Sequence, residues 1–252
     1  MDRAEWLKKV RIQAESLYDH GAPAYWVIWG ISIDSTHQHF IDEFLSRLES
    51  NSMILDAACG AGRFDGILLE AGHRVLGIDQ SGGVLARARE HFPEMSYPNL
   101  GYEKIGLQEM EFTEEFDGII CMDAMEHICP EDWPVILENF QKALKPGGIL
   151  YITVDEKNLN EDTKAYERAK TMGLPVVFGE IVDELDDTYA EAMARDPLDL
   201  NSMPFDRLDH TVYHFHPSRE QVGTWFNQAG LTLGKEEPCD GYVHVLVRKK
   251  KQ

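Results

Sequence analysis

Positive charge is scarce in this 252-residue chain: 24 Lys and Arg stand against 44 Asp and Glu, a formal net charge of −20. Gripping a phosphate backbone draws on Lys and Arg that displace counterions, so DNA and RNA are not expected partners. The one basic run, Arg248-Lys249-Lys250-Lys251, reads as a solvated, frayed tail. Cysteine is sparse too. Cys59, Cys121, Cys129 and Cys239 form no C-x-x-C pair and no zinc spacing, which argues against a disulfide framework or a zinc site. Cys59 and Cys121 fall at apolar strand ends, where a thiol serves as a small hydrophobe. Long apolar runs are missing: Gly118–Met122 and Ile149–Val154 are strand-length, well short of the roughly 20 residues that span a membrane. The first residues lack the basic-then-apolar order of a signal peptide, so a cytoplasmic location without membrane partners is expected. Internal repeats and low-complexity tracts are absent as well.

What is present reads as one α/β unit. The hydrophobic share of 43% is enough for a sizeable core in a chain of this length. Trp6, Leu7, Val10, Ala14, Leu17 and Tyr18 share a helical face, with Gly21 as the expected stop. A second helix is expected from Ser35, with Gln38 completing a capping box and Phe40, Ile41, Phe44, Leu45 and Leu48 as its stripe. From Met53 onward short apolar strands alternate with helices: strands near 53–58, 74–79, 102–105, 116–122 and 149–154, helices near 63–71, 81–91 and 133–144. That alternation indicates a parallel sheet covered on both faces. A helix over 218–229, with a Ser218/Gln221 capping box, precedes two strands joined through Asp240-Gly241, so the last strand enters antiparallel. The expected fold is therefore a Rossmann-like three-layer sandwich, with a seven-stranded, mostly parallel sheet and an antiparallel C-terminal strand. Residues 1–50 would form an N-terminal helical cap, 51–154 and 218–252 the core domain, and 155–217 an inserted cap. In that insertion, helices are expected near 161–172 and 183–194 and a strand over 211–216. An insertion of this length inside a compact domain usually carries function.

The strongest chemical signal is Ile54-Leu55-Asp56-Ala57-Ala58-Cys59-Gly60-Ala61-Gly62-Arg63-Phe64. A glycine-rich turn at the end of a first strand lets a ligand approach the backbone and aims the next helix's N–H groups at it. Asp79, closing Val75-Leu76-Gly77-Ile78-Asp79, can accept hydrogen bonds from both hydroxyls of a ribose. A dinucleotide dehydrogenase would show the same two features. Its fingerprint, however, needs a third glycine where this chain has Asp65, whose charge would repel a pyrophosphate.

These motifs, together with Phe116-Asp117-Gly118-Ile119-Ile120 and Leu144-Lys145-Pro146-Gly147-Gly148, resemble those of the class I S-adenosylmethionine-dependent methyltransferases, in order and spacing over roughly residues 53–248. The resemblance implies S-adenosyl-L-methionine as cofactor and S-adenosyl-L-homocysteine as product. It implies that Asp56 and the Ala58, Cys59, Gly60 and Gly62 backbone face the methionine part, Asp79 the ribose and Gln80 the adenine. Leu107 and Gln108 would edge the adenine, in a turn that lacks the family's usual acid, and Met122 would lie near the reacting methyl.

Methyl transfer needs alignment of the nucleophile, exclusion of water, and a base only where the acceptor atom is protonated. Candidates for that base are Asp123 and His127 in Asp123-Ala124-Met125-Glu126-His127, and His214 from the His210/His214/His216 group. The i, i+2 spacing of His214 and His216 reads as a polar pocket wall, with Tyr213 beside it, rather than as a metal site. His37 and His39 are expected on a helix's wet side. Tyr25, Trp26 and Trp29 either form a lid over the site or staple the N-terminal helices to the sheet. The expected function is methyl transfer to oxygen, nitrogen or carbon of a small-molecule acceptor. The alternatives are a non-catalytic S-adenosylmethionine-binding regulatory or assembly protein and, less favoured, a nicotinamide oxidoreductase. S-adenosylhomocysteine at about a hundred times its dissociation constant should add roughly 2.7 kcal/mol, a rise of roughly 5–10 °C in unfolding temperature, whereas NADH should add nothing. A calorimetric shift with NADH in place of S-adenosylhomocysteine would reverse the reading of the glycine turn.

Overall fold

The structure, a computed structural model, describes residues 1–30, 33–155, 159–184, 211–239 and 241–251. Seven strands, β1 Met53–Ala57, β2 Arg74–Asp79, β3 Leu100–Lys104, β4 Phe116–Cys121, β5 Leu144–Asp155, β8 Leu231–Cys239 and β9 Tyr242–Lys249, form one sheet in the order β3-β2-β1-β4-β5-β9-β8. Neighbours β1 to β5 pair in parallel, and β9 runs antiparallel to both β5 and β8. The hairpin expected from Asp240-Gly241 thus joins β8 and β9; Gly241 takes φ +85°, while Asp240 lies outside the described residues. Strand order reverses between β1 and β4, and a doubly wound sheet opens a crevice for ligands at that point.

Both faces are packed. On one, Trp133, Leu137 and Phe140 of α5 (Trp133–Ala143) join Phe226 of α7 (Arg219–Gln228) and Trp6, Leu7 and Val10 of α1 (Arg3–Tyr25). On the other lie Phe40, Ile41 and Phe44 of α2 (Ser35–Leu45), Leu68 of α3 (Asp65–Glu70), and Leu85 and Ala88 of α4 (Gly82–His91). The Ser218/Gln221 capping box of α7 is present in both its bonds. Among the described residues, no helix is long and apolar enough to cross a membrane.

Four local expectations are corrected. The first helix does not stop at Gly21 but continues through Pro23 to Tyr25 and into a π-helical turn, Trp26–Gly30. Pro23 has no N–H for the carbonyl of Asp19 four residues back, and that carbonyl instead packs against Gly83 at the start of α4. Helix α2 is capped by Asp34, whose carboxylate accepts from the N–H groups of Thr36 and His37, while Gln38 bonds Asp42. Lys249 is no frayed tail: its buried ammonium donates to the Leu144 carbonyl at 2.7 Å and to Glu114 at 3.1 Å. Residues 183 and 184, expected to open a helix, end a strand, and the remainder of that expected helix lies outside the described residues.

That strand, β6 (Glu180–Glu184), pairs antiparallel with β7 (Thr211–Phe215) in a two-stranded sheet beside α6 (Leu159–Thr171). Buried charge fixes it to the rest. His216, just past β7, is held between Asp162 of α6 at 2.8 Å and Asp155 at the end of β5 at 2.9 Å. Glu180, fully buried, accepts from Tyr213 and Arg3, each at 2.6 Å. Burial pushes the His216 pKa down, but the two carboxylates outweigh it and raise the value above the usual 6.5. A raised histidine stabilises fully below its unfolded pKa and loses that contribution as pH climbs through the folded value. His216→Ala leaves the buried Asp162 and the half-buried Asp155 carboxylates uncompensated and should cost about 3 kcal/mol at pH 6. Unfolding followed from pH 6 to 9 should show this difference shrinking, and a pH-independent difference would refute the bridge.

Candidate cofactor cleft and active site

The turn after β1 is wound tightly. Ala58 (φ +59°) and Gly60 (φ +56°) both take the left-handed region, which alanine enters only under strain. A side chain at Gly60 would lie 2.8 Å from the Tyr25 hydroxyl, so the bare backbone is what lets α1 lie so close. The Asp79 carboxylate, at the end of β2, ties this turn down. One oxygen accepts from the Gly60 N–H at 3.0 Å and the other from the Ser81 N–H at 2.8 Å. Burial pushes Asp79 up to about 6, against these donors, and it remains ionised at neutral pH. Asp19 of α1 then accepts from the Ser81 hydroxyl at 2.6 Å and the Gly83 N–H at 2.8 Å, which seats α1 across the strand ends.

Between α1 and those strand ends lies a cleft of about 570 Å³, open mouth included. It brings together Tyr25, Ala58, Gly60, Asp79, Gln80, Leu107, Gln108, Asp123 and His127, all singled out by the sequence, with Tyr18, Ile105, Ala124 and Ile128. Volume and mixed apolar and polar walls are those of a small-molecule site. At one end Gln108 donates to Asp132 at 3.4 Å, and Asp132 in turn takes both arms of Arg11 at 2.6 and 2.8 Å.

Other expected site residues lie elsewhere. Asp56 is buried under the turn, where burial, then the Asp65 and Asp79 carboxylates, hold its carboxyl in the neutral form. Asp65 is buried beside it and accepts from the Tyr102 hydroxyl, so its charge does not face a ligand as the sequence argument assumed. Cys59 and Met122 pack in the core beneath the α2–α4 face, and a side chain at Gly62 would meet Asp65 rather than the cleft. Trp26 stacks on His91 at 3.8 Å, and Trp29 is 49% exposed, so of the aromatic trio only Tyr25 lines the cleft. Tyr213 is buried on Glu180, and His214 lies alongside His127, ring centres 4.9 Å apart. His210 is outside the described residues.

Asp123 is not a free base. Its backbone is in the left-handed region (φ +49°), held there by its N–H donating to Thr153 Oγ1 at 2.6 Å. Oδ1 faces His37 Nε2 at 3.1 Å and accepts from Thr153 Oγ1 at 3.2 Å, and Oδ2 accepts from Arg63 at 2.9 Å. Burial would raise Asp123, but His37 and Arg63 outweigh it and bring it below the ordinary carboxylate value. His37 also bonds Asp34 through Nδ1, and Arg63 reaches Asp34 at 3.6 Å. Only an imidazolium can donate from both nitrogens to two carboxylates. Burial opposes that state, yet the two carboxylates raise the His37 pKa. The expectation that His37 faces water is therefore overturned: it is 6% exposed, because Asp34 and Asp123 offer it a buried bridge. His39, by contrast, is exposed. No sequence signal joins His37 to a residue 86 positions away; only the Asp34–His37 spacing hints at half of the cluster.

His127 differs in kind. A carbonyl can only accept, so Nδ1 carries the proton it shares with the Tyr213 carbonyl at 3.3 Å. Nε2 is then the acceptor, and the Tyr18 hydroxyl donates to it at 2.7 Å. Burial lowers the His127 pKa and keeps the ring neutral. Next to it, burial and the Asp123 charge push Glu126 up to about 8, with the Tyr242 hydroxyl donating to Oε1 at 3.1 Å.

Comparison with known proteins agrees with this geometry. A methyltransferase-domain family model matches residues 54–148. A ubiquinone biosynthesis O-methyltransferase of Acinetobacter baylyi is 30% identical over 53% of this chain and 54% of its own length, so the chain spans about half of that relative. The Coxiella burnetii protein of the same name is 29% identical over 67% of this chain and 69% of its own length. Among solved structures, the 1,6-didemethyltoxoflavin-N1-methyltransferase of Burkholderia thailandensis superposes with TM-score 0.64 at 15% identity, covering 97% of this chain and 91% of that one. The magnesium protoporphyrin IX methyltransferase of Synechocystis gives 0.63 at 14% identity, covering 96% and 100%. The family model thus marks residues 54–148 as a methyltransferase domain, and the four motifs in register and the strand order resemble those of the class I S-adenosylmethionine-dependent methyltransferases.

Proposed function

We propose that this protein transfers the methyl group of S-adenosylmethionine to a small-molecule acceptor bound in the cleft beneath α1. The observation that carries the reading is the Asp79–Gly60–Ser81 junction, an ionised carboxylate and a side-chain-free backbone facing one cleft. The cleft fits the cofactor. Asp79 would hold the ribose hydroxyls, Ile105 and Leu107 offer apolar walls to the adenine with Gln80 and Gln108 at its polar edges, and the Ala58–Gly60 backbone would pass the methionine portion. The sulfonium cofactor supplies an activated methyl group when bound, so the protein's task is placement and exclusion of water. Tyr18 and Tyr25, which line the cleft from α1, serve that exclusion. Relatives named for O-methylation and N1-methylation both support a small acceptor and leave the attacked atom open. The two-stranded sheet and α6, joined to the core through His216, are read as the cap that shapes the acceptor end. Three buried, unbridged cysteines suit a reducing, cytoplasmic setting.

Titration calorimetry should give one S-adenosylhomocysteine site per chain. Asp79→Asn removes charge-assisted bonds worth about 3 kcal/mol, so affinity should fall about 100-fold. S-adenosylhomocysteine should also accumulate when the enzyme and S-adenosylmethionine meet a low-molecular-mass cell extract, and not with Asp79→Asn. Tight binding with no turnover on any such extract would favour a regulatory binding protein instead.

A further inference from the structure

Resting on that reading, we propose that Tyr18 and His127 form a proton relay that deprotonates a hydroxyl, so that the acceptor is a phenol or enol and the methyl group goes to oxygen. Both residues line the cleft, together with Ala58, Gly60 and Ala124. The relay's direction is set by its far end: the Tyr213 carbonyl occupies the protonated Nδ1 of His127 and leaves Nε2 to receive. Tyr18 spends its single proton on Nε2 at 2.7 Å. An oxygen so committed meets a further hydroxyl only as an acceptor.

The charges around the cleft argue against a cationic amine. Asp123 is the carboxylate on the wall nearest His127 in sequence, and both its oxygens are engaged by His37, Thr153 and Arg63. With Asp34 the cluster sums to two negative and two positive charges, and the other ionised carboxylate on the wall, Asp79, is taken by the Gly60 and Ser81 N–H groups and assigned to the ribose, so no unpaired carboxylate is left for an ammonium. Glu126 is held neutral by burial and by the neighbouring Asp123 charge. A free amine carries its own lone pair and needs no relay at all. Burial also makes His127 a weaker base than usual, which matches a hydroxyl of pKa about 10 better than an aliphatic alcohol. In the step itself, the acceptor's hydroxyl proton passes to the Tyr18 oxygen while Tyr18's own proton passes to His127 Nε2. The acceptor oxygen's electron pair forms the new bond to the methyl carbon as the carbon–sulfur bond breaks, its pair staying on sulfur. Methyl ether, S-adenosylhomocysteine and a His127 imidazolium result, and the imidazolium returns its proton to water when the products leave.

The test compares p-cresol and catechol with p-toluidine and benzylamine, by calorimetry on S-adenosylhomocysteine-saturated protein and by tritium transfer from S-adenosylmethionine. The two hydroxyl compounds should bind about 10-fold more tightly than the amines, a preference that Tyr18→Phe removes. Tyr18→Phe and His127→Asn should each lower transfer to the phenols about 100-fold or more, and each should still show the thermal shift with S-adenosylhomocysteine that reports a folded site. Amines bound as tightly as phenols, phenols not bound at all, or a preference unchanged in Tyr18→Phe would overturn the relay. A wild-type protein that does not bind S-adenosylhomocysteine would instead overturn the methyltransferase reading beneath it.

Discussion

One carboxylate, Asp79, sits where four parts of the molecule meet. Its oxygens hold the glycine turn that follows β1 and Ser81, the residue that caps α4, and Ser81 passes the connection on to Asp19 of α1. A carboxylate drawn even partly out of water is costly unless such donors surround it, and here desolvation has already moved it up to about 6. The same donors that keep it ionised also fix the backbone that lines the cleft. The shape of the cleft and the seating of the N-terminal helix are thus one electrostatic arrangement. Removing Asp79 would loosen the turn and the helix together.

Around that junction the protein deals with buried charge by a repeated device. His37 lies between Asp34 and Asp123, and His216 between Asp155 and Asp162. In each case a carboxylate pair that would repel is joined by an imidazolium, and in each case residues distant in sequence are brought together. The first bridge fixes a wall of the cleft. The second fastens α6 and the two-stranded sheet to the end of β5. His127, which faces a carbonyl and a phenol instead of two acids, stays neutral. Histidines in one structure thus divide into charged bridges and a neutral hydrogen-bond acceptor, according to what their two nitrogens meet.

How much of this the sequence disclosed follows from how local each interaction is. The glycine turn, Asp79, Gln80 and Gln108 were legible because each belongs to a strand-end motif whose residues are contiguous. The hairpin and the α7 capping box were legible for the same reason. The His37 bridge was not, since its second carboxylate lies 86 residues on and the helix pattern alone placed the ring outward. Gly21 looked like a stop because helix signals carry no information about Asp19 binding α4. Trp26 and Trp29 shared a loop with Tyr25 but not its direction: a π-helical turn sends Trp26 to His91 and Trp29 toward solvent. Asp65 was pictured as facing the ligand because a single position gives no sign that Tyr102, 37 residues on, takes its carboxylate into the core.

The N-terminal helix has a consequence for how such an enzyme changes over evolutionary time. Tyr18 and Tyr25 enter the cleft from α1, which contributes no strand to the seven-stranded sheet and is attached through side chains such as Arg3, Arg11, Glu15 and Asp19. On the proposed function, substitutions along its inner face would alter what is methylated while β1, β2 and their turn went on holding the same cofactor. In a protein built this way, substrate preference is heritable separately from the methyl donor, and relatives that share the sheet are free to diverge in the molecules they modify.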